Sequence, residues 1–420
     1  MNSPQKTSAR DSWTQRLRHP IIAAIAVVLG LAVASVALNL KFLNPLKSAL
    51  ADFSTTDLFY QQQLQAGVRD SSTQITIVDM GALYDRGEIA VLLDEIEQLN
   101  PRVVAVDAVF QNWREDSLAD MALAAVCFAY DNILLNCYCF DLNPTSDNYE
   151  TLVKPYFFEG LDDPSPFVND STATKGRMCC SLMPREMYGN GTKRTVTMSW
   201  QTLGQSIPSF AWLAASRYLG EEAMPISSKP ININYRPKDF NTLLPEEVSQ
   251  HPELIRDHIV LFGAMHENED MHQSPIGKLA GLEILAYAID TLISHSEAKD
   301  LTGWPLWIIS FLLICCRSWT YATHKRLLMK VRPEWLRLVL NMSFFKMLNL
   351  FIWMGFWLWI TMLIFNINHL SINPTAAFGC AALIPYACEF YSLFFERKPQ
   401  PATTPAENLV EEEQQEKNIH

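Results

Sequence analysis

The first apolar run extends over residues 21–40, and nothing between Lys41 and Thr302 resembles it. About twenty apolar residues suffice to cross hydrocarbon, so this run predicts a transmembrane helix. Three more apolar stretches crowd the other end, at 303–316, 347–365 and 370–395. The first is short unless 318–322 joins it and Arg317 snorkels to the interface, which gives a span of 303–322. In the long middle region, β-branched runs alternate with segments of helical period. Strands are predicted at 74–78, 102–106, 132–137, 231–235 and 258–262, and helices at 88–99, 117–128, 209–219 and 278–294. The helix at 88–99 sets Ile89, Leu92, Leu93, Ile96 and Leu99 on one face, and Asn100-Pro101 stops it. Residues 141–175, rich in Pro, Asp, Asn and Ser, are expected to form an irregular insertion. The expected fold class is α/β with a largely parallel sheet, plus four transmembrane helices, one before and three after.

Charge orients these elements. Lys6, Arg10, Arg16 and Arg18 precede the first run; Arg317, Lys325, Arg326, Lys330, Arg332 and Arg337 follow the second; Arg397 and Lys398 follow the last. Basic residues near membrane ends stay inside. The N-terminus (1–20), the basic loop (323–346) and the acidic tail (396–420) are therefore expected in the cytoplasm of a multi-pass inner (plasma) membrane protein, with 41–302 extracytoplasmic. Ala32, Ala34 and Ala37 offer small residues for a signal peptidase, but the run exceeds the usual length of a signal peptide of about 7–15 residues, so the anchor is expected to be retained. The tail, rich in Pro, Glu and Gln, is expected to be disordered. Loop and tail are each too short for a kinase or cyclase core, so output is expected through a separate protein.

A net charge of -12 argues against nucleic-acid binding, which requires a clustered basic face. Of nine cysteines, Cys315, Cys316, Cys380 and Cys388 fall in membrane runs. Cys127, Cys137, Cys139, Cys179 and Cys180 lie outside, an odd number without zinc-site spacing, and are expected to be buried thiols with at most one or two bridges of undetermined pairing.

Asp79 and Asp107 each follow a predicted strand, which in a parallel sheet puts both at the carboxyl edge, where open α/β folds bind ligands. One expectation is a polar pocket of Asp79, Arg86, Asp107, Asp116 and Asp270, with Arg86 gripping a carboxylate or phosphate. The other is an internal Asp–Arg network and helix N-caps that hold loops. The sequence 266–272 concentrates possible metal ligands in His266, Glu269 and His272, yet its spacing is not that of a zinc helix. No metal or cofactor is expected. No Gly-x-Ser-x-Gly elbow or phosphate-binding glycine loop is present, so the chain is not expected to be an enzyme. Lys346 and Glu389 stand at matching depths of the third and fourth spans and are expected to pair.

Several blocks together resemble the type-2 CHASE domain, an extracellular sensory module associated with cyclases and histidine kinases. They are Asp57-Leu58, residues 75–79 with their terminal Asp, Arg86, residues 103–110 with Asp107 and Phe110, Asp116 with Leu118, Gly191 with Arg194, and residues 259–263 followed by Asp270, Ser274-Pro275 and Gly281-Leu282-Glu283. The similarity covers 57–292, and the family's layout of one helix before the domain and three after matches the hydropathy. The chain departs from the family pattern at Gly81, at 83–85 and at Leu285. The resemblance implies a sensor or adaptor of the bacterial envelope that detects a small polar ligand or a periplasmic protein. It would relay to a separate membrane or cytoplasmic partner through helices embedded in lipid. The alternatives are a structural or assembly protein that docks a periplasmic partner, and a membrane-tethered hydrolase.

Overall fold

The computed structural model describes residues 21–30, 54–81, 83–140, 148–149, 151–158, 177–180, 191–202, 205–220, 230–265 and 270–395. The chain forms two compact units. The larger comprises Leu46–Asp300 together with Thr361–Ile372; the other comprises Met1–Pro45, Leu301–Ile360 and Asn373–His420.

The larger unit is built on a seven-stranded sheet. Its strands are β1 (Asp70–Asp79), β2 (Val103–Val106), β3 (Ile133–Phe140), β4 (Thr151–Val153), β5 (Met178–Cys180), β6 (Lys238–Leu243) and β7 (Ile259–Gly263). The spatial order is β6-β1-β7-β2-β3, all parallel, and β3 then pairs with β5 in parallel and β4 in antiparallel. Side chains alternate across the sheet. Ile75, Ile77, Val103, Ala105, Ile259 and Leu261 enter one core, and Val78, Val104, Val106, Val260 and Phe262 the other. Burial on both faces explains why β2 and β7 are apolar at nearly every position.

Helix α1 (Ile21–Gly30) lies in the smaller unit, and α2 (Thr55–Gln65) begins the described part of the larger one. Helices α3 (Arg86–Gln98) and α4 (Ser117–Ala129) contribute Ile89, Leu93, Ile96, Leu123 and Cys127 to the second core. Helices α5 (Phe210–Leu219) and α6 (Gly281–Ile293) contribute Trp212, Leu213, Leu285 and Ile289 to the first. Asp85, Asp116 and Ser209 cap the N-termini of α3, α4 and α5 with side-chain oxygens. Asn100 ends α3 at φ 60, a left-handed conformation that asparagine tolerates. Cys127, Cys137, Cys179 and Cys180 are buried in the two cores.

Two expectations within this unit are corrected. Residues 231–235 are not a strand of the sheet: Ile231–Asn232 pairs with Thr195–Val196, and the Asn234 amide donates to Thr291 Oγ1. The sheet strand is β6, whose sequence KDFNTL lacks an apolar run because it is an edge strand paired only with β1. The helix predicted from 278 begins at Gly281, because Lys278 belongs to a hairpin of Met271–Ser274 with Gly277–Ala280.

The smaller unit contains α7 (Trp304–Leu328), α8 (Glu334–Leu340), most of α9 (Ser343–Asn368) and α10 (Thr375–Phe395). Among the described residues, α7 and α9 are long and apolar enough to cross a membrane; Ile21–Gly30 and Thr375–Phe390 are shorter apolar stretches. Helix α7 runs past the expected boundary at 322, and α8 occupies part of the basic loop. The Arg317 side chain is buried within the helix cluster and donates to Asn349 Oδ1 at 2.7 Å.

The end of α9 differs most from expectation. Hydropathy carries the third span to Phe365, and the fourth from 370. Instead Thr361–Ile372 belongs to the larger unit, where Phe365 is buried in the first core. Leu370–Ser371 forms a short parallel pair with Lys299–Asp300, and α10 starts only at Thr375. An aromatic residue in a protein core carries the same hydropathy as one in lipid, so the sequence did not separate the two.

Glu97 is turned inward near the end of α3, where Oε2 accepts from Asn132 at 2.9 Å. Burial raises its pKa from 4.5 to about 7, with Asp94 adding to the rise and the Asn132 hydrogen bond opposing it. Between those values the native state holds a proton that the unfolded chain releases, so stability falls as pH rises from 4.5 to about 7. Urea unfolding of Glu97→Gln is expected to lose that slope and to give a higher midpoint than wild type at pH values above about 7.

Candidate functional site

Parallel pairing sets Asp79, Gly263 and the residue after β2, Asp107, along one edge of the sheet. Asp79 is opposite Gly263 in register, and the Asp107 amide donates to Phe262 O at 2.8 Å. A Cβ on Gly263 would stand 3.2 Å from the Asp107 Cβ and 3.3 Å from the Leu282 side chain, so the end of β7 fits closely against both. Asp79 is buried, and its Oδ1 accepts from the amides of Gly81 and Met265, each at 3.0 Å. Asp107 is half-buried, with Oδ1 accepting from Asn136 Nδ2 at 2.9 Å. At this edge Asp79 organises the loops and Asp107 is half-buried.

Arg86 serves neither of these acids. Its guanidinium is buried and donates to Asp120 Oδ1 at 2.6 Å, Asn112 O at 2.8 Å and Gln111 O at 2.9 Å, and it lies 4.5 Å from the Tyr156 ring centre. Asp120 Oδ2 accepts from the Arg114 amide at 2.6 Å, and Tyr156 Oη donates to the Asp120 carbonyl at 2.5 Å. Asp116 is the N-cap of α4, accepting from Leu118 and Ala119 amides at 3.1 Å. Asp270 Oδ1 stands 3.1 Å from His272 Nε2, and a Cβ at Gly281 would collide with its carboxylate. Of the five expected pocket residues, Asp79 and Asp107 share the sheet edge, while Arg86 and Asp116 flank α4. His266 and Glu269 lie outside the described residues; among the described residues no cluster of three metal-binding side chains occurs. In the smaller unit, Lys346 Nζ is 3.9 Å from Glu389 Oε1, with both side chains partly exposed.

Three features escaped sequence reasoning. Asp120 stands three and seven residues before the buried Leu123 and Cys127, a phase that places an acid on the core face and signals a buried partner. A cleft of about 360 Å³ opens at the β6 edge, lined by Arg69, Lys238, Asp239, Ile77, Leu279 and Tyr287 among others. Its rim carries the exposed Arg69–Asp239 pair at 2.6 Å. These residues come from separate segments with no common motif. Asp57 and Arg194, two separate blocks of the family resemblance, form an ion pair that the sequence did not indicate, with Arg194 Nη2 2.6 Å from Asp57 Oδ2.

Burial opposes ionisation of Asp120, but the Arg114 amide and the Arg86 guanidinium outweigh it and hold its carboxyl below the usual range. A depressed pKa contributes stability that is complete above the ordinary carboxylate range, about 4, and is lost as pH falls through the folded value. Asp120→Asn leaves Arg86 buried without its counter-charge, at an expected cost of about 3–5 kcal/mol. Urea midpoints of variant and wild type are expected to differ most near neutrality and to converge in acid.

The family model of the CHASE2 domain matches residues 23–321, more than half of the chain. No curated protein and no solved structure gives a significant match. The matched span contains the whole parallel sheet, its four covering helices and the Asp79–Asp107 edge. The chain belongs to the CHASE2 family, whose domain is an extracellular sensory module.

Proposed function

We propose that this chain is a membrane-anchored sensor that hands the state of its extracytoplasmic domain to helix α9, and through the membrane helices to a separate signalling partner. The observation that carries this reading is the inclusion of Thr361–Ile372 in the sensory unit. Arg236 Nη2 donates to the Asn366 carbonyl at 3.0 Å and lies 3.3 Å from its Oδ1, a cation at the C-terminus of α9. The Phe365 ring stands 5.1 Å from Phe59 and 5.7 Å from Tyr60, both on α2. The Lys299 amide donates to His369 O at 2.8 Å, and Thr55 Oγ1 to Ile372 O at 3.3 Å. Three segments that join the domain to membrane helices therefore meet in one cluster: α2, Lys299–Asp300 and the end of α9.

A change of packing in this cluster has a direct mechanical consequence, because α9 is one continuous helix from Ser343 to Asn368. Only a difference in affinity for two helix arrangements can drive such a relay. With Arg86 committed to Asp120, the stimulus we propose is a small polar molecule rich in donors or positive charge, taken at the Asp79–Asp107 edge. Four spans with both termini inside, as charge and hydropathy suggest, would bring the inner ends of α7, α9 and α10 to a membrane or cytoplasmic partner. The chain itself is proposed to have no catalytic role.

Full-length protein in lipid nanodiscs provides the test, by hydrogen exchange of α9 and of the clasp in wild type, Arg236→Gln and Phe365→Ala. Removing the buried ring should weaken the clasp by about 3–5 kcal/mol. Faster exchange is expected at 361–372 and at Lys299–Asp300, continuing into the membrane part of α9. Arg69→Gln, which breaks an exposed pair in the same unit, should leave α9 unchanged. Exchange in α9 that ignores the clasp variants, or responds equally to Arg69→Gln, would refute the relay.

A further inference from the structure

Helices α7 and α9 are long and apolar enough to cross a membrane, and the chain that joins them is short. Five residues, 329–333, separate α7 from α8, and only Asn341 and Met342 separate α8 from α9. Helix α7 has 25 residues, roughly 37 Å at about 1.5 Å per residue, against a hydrocarbon core of about 30 Å. Its last turn therefore reaches the headgroup layer. With joints this short, α8 is held beside the same surface.

Helix α8 carries charge on one strip only. At about 100° per residue, Glu334 and Arg337 share that strip, and Trp335, Leu336, Leu338, Val339 and Leu340 occupy the rest. None of its residues is buried; Trp335 is 68% and Leu338 69% exposed. Around the helix stand Lys325, Arg326, Lys330, Arg332 and Arg337, all exposed. Glu334 is the one acid between 325 and 342, so five positive charges against one negative leave a net charge of +4. Among the described residues, no ion pair engages any of the five. A helix with Trp and Leu on one side and cations around it is built to lie flat in a bilayer interface, its apolar side toward the acyl chains.

We propose that α8 and its basic flanks form a binding surface for anionic phospholipid headgroups. Trp335 and Leu338 enter the acyl boundary, while Lys330, Arg332 and Arg337 meet phosphate oxygens. Arginine suits this task, since one guanidinium can hold two oxygens of a phosphate. A zwitterionic lipid offers the same apolar boundary but cancels its phosphate with its own cation, so net charge distinguishes the two. The acidic segment 396–420 is also opposite in charge to this surface, but it contains no Phe, Tyr or Trp to cover Trp335. Lipid answers both the charge and the apolar side. The proposal rests on the membrane reading of α7 and α9 and is independent of the relay from the sensory domain.

The experiment places the full-length chain in nanodiscs of phosphatidylcholine, alone or mixed with phosphatidylglycerol, and follows hydrogen exchange of 329–342. Exchange is expected to be slower by about threefold or more in the anionic discs, and added salt should remove the difference. The triple variant Lys330→Gln, Arg332→Gln, Arg337→Gln should lose the lipid dependence, with exchange of β2 and β7 kept at the wild-type rate as the check on folding. Equal exchange in the two discs makes the proposal wrong and leaves the membrane reading intact. So does a difference that survives both salt and the triple substitution. If slow exchange of α8 vanishes on deletion of 396–420 and ignores phosphatidylglycerol, the surface belongs to that segment and the lipid assignment fails. A wild-type chain that alkaline carbonate strips from its native membrane overturns the membrane reading itself, and this proposal with it.

Discussion

The pairing of β7 between β1 and β2 is the interaction on which the rest of the larger unit depends. Ile259–Gly263 is far along the chain from Asp70–Asp79 and Val103–Val106, yet it separates those strands and bonds to both. Without it, the facing edges of β1 and β2 would leave a row of backbone N–H and C=O groups unpaired, and the two cores would lose Ile259, Leu261, Val260 and Phe262, at about 1.5–3 kcal/mol for each such side chain. The insertion also explains the edge chemistry. Asp79 and Asp107 would be neighbours in a simple β-α-β unit; with β7 between them they stand on either side of Gly263, whose missing side chain leaves room for Asp107 and Leu282. Because this contact is so distant in sequence, its formation must overcome the loop-closure entropy of the intervening chain, which favours slow folding of the domain.

Acidic residues in this domain act first as structural connectors. Asp79 fixes two loop amides, Asp85 and Asp116 cap helices, Asp120 holds Arg86, and Asp57 holds Arg194. A buried carboxylate without a partner would be strongly unfavourable, so Asp79 and Asp120 have donors built around them, whereas Glu97, with one donor, is pushed toward its protonated form. At the sheet edge Asp107 is half-buried whereas Asp79 is enclosed. The pairing with Asp120 removes Arg86 from anion recognition, because its charge and most of its donors are already engaged within the fold.

Helix α9 joins two environments with one apolar composition. Its early and middle residues lie in the smaller unit, and its final turns bring Phe365 into the sensory core beneath the Arg236 cap. The boundary of the sensory domain on this side is therefore a continuous helix rather than a loop, and Phe59, Tyr60 and Phe365 pack together at it.

Periodicity and turn chemistry by themselves determined the strands β2 and β7 and the helices α3, α4 and α5 nearly to their ends, because apolar positions and the Asn100-Pro101 stop agree; they found the apolar part of β1 and β3 but not the polar start of β1 at 70–73 or the extension of β3 to Phe140. They also placed Asp79 and Asp107 after parallel strands, hence at the carboxyl edge. What they left undecided depended on neighbours. Strand β6 is polar because only one side of it is paired, and Ile231–Tyr235 is apolar because it packs under α6 and α2 without joining the sheet. The partner of Arg86 was invisible because Asp120 lies in another helix and is distinguished only by its phase. Phe365 was assigned to lipid because transfer out of water is favourable into either a bilayer or a protein core. Only the tertiary structure, by showing which surfaces meet, decided between them.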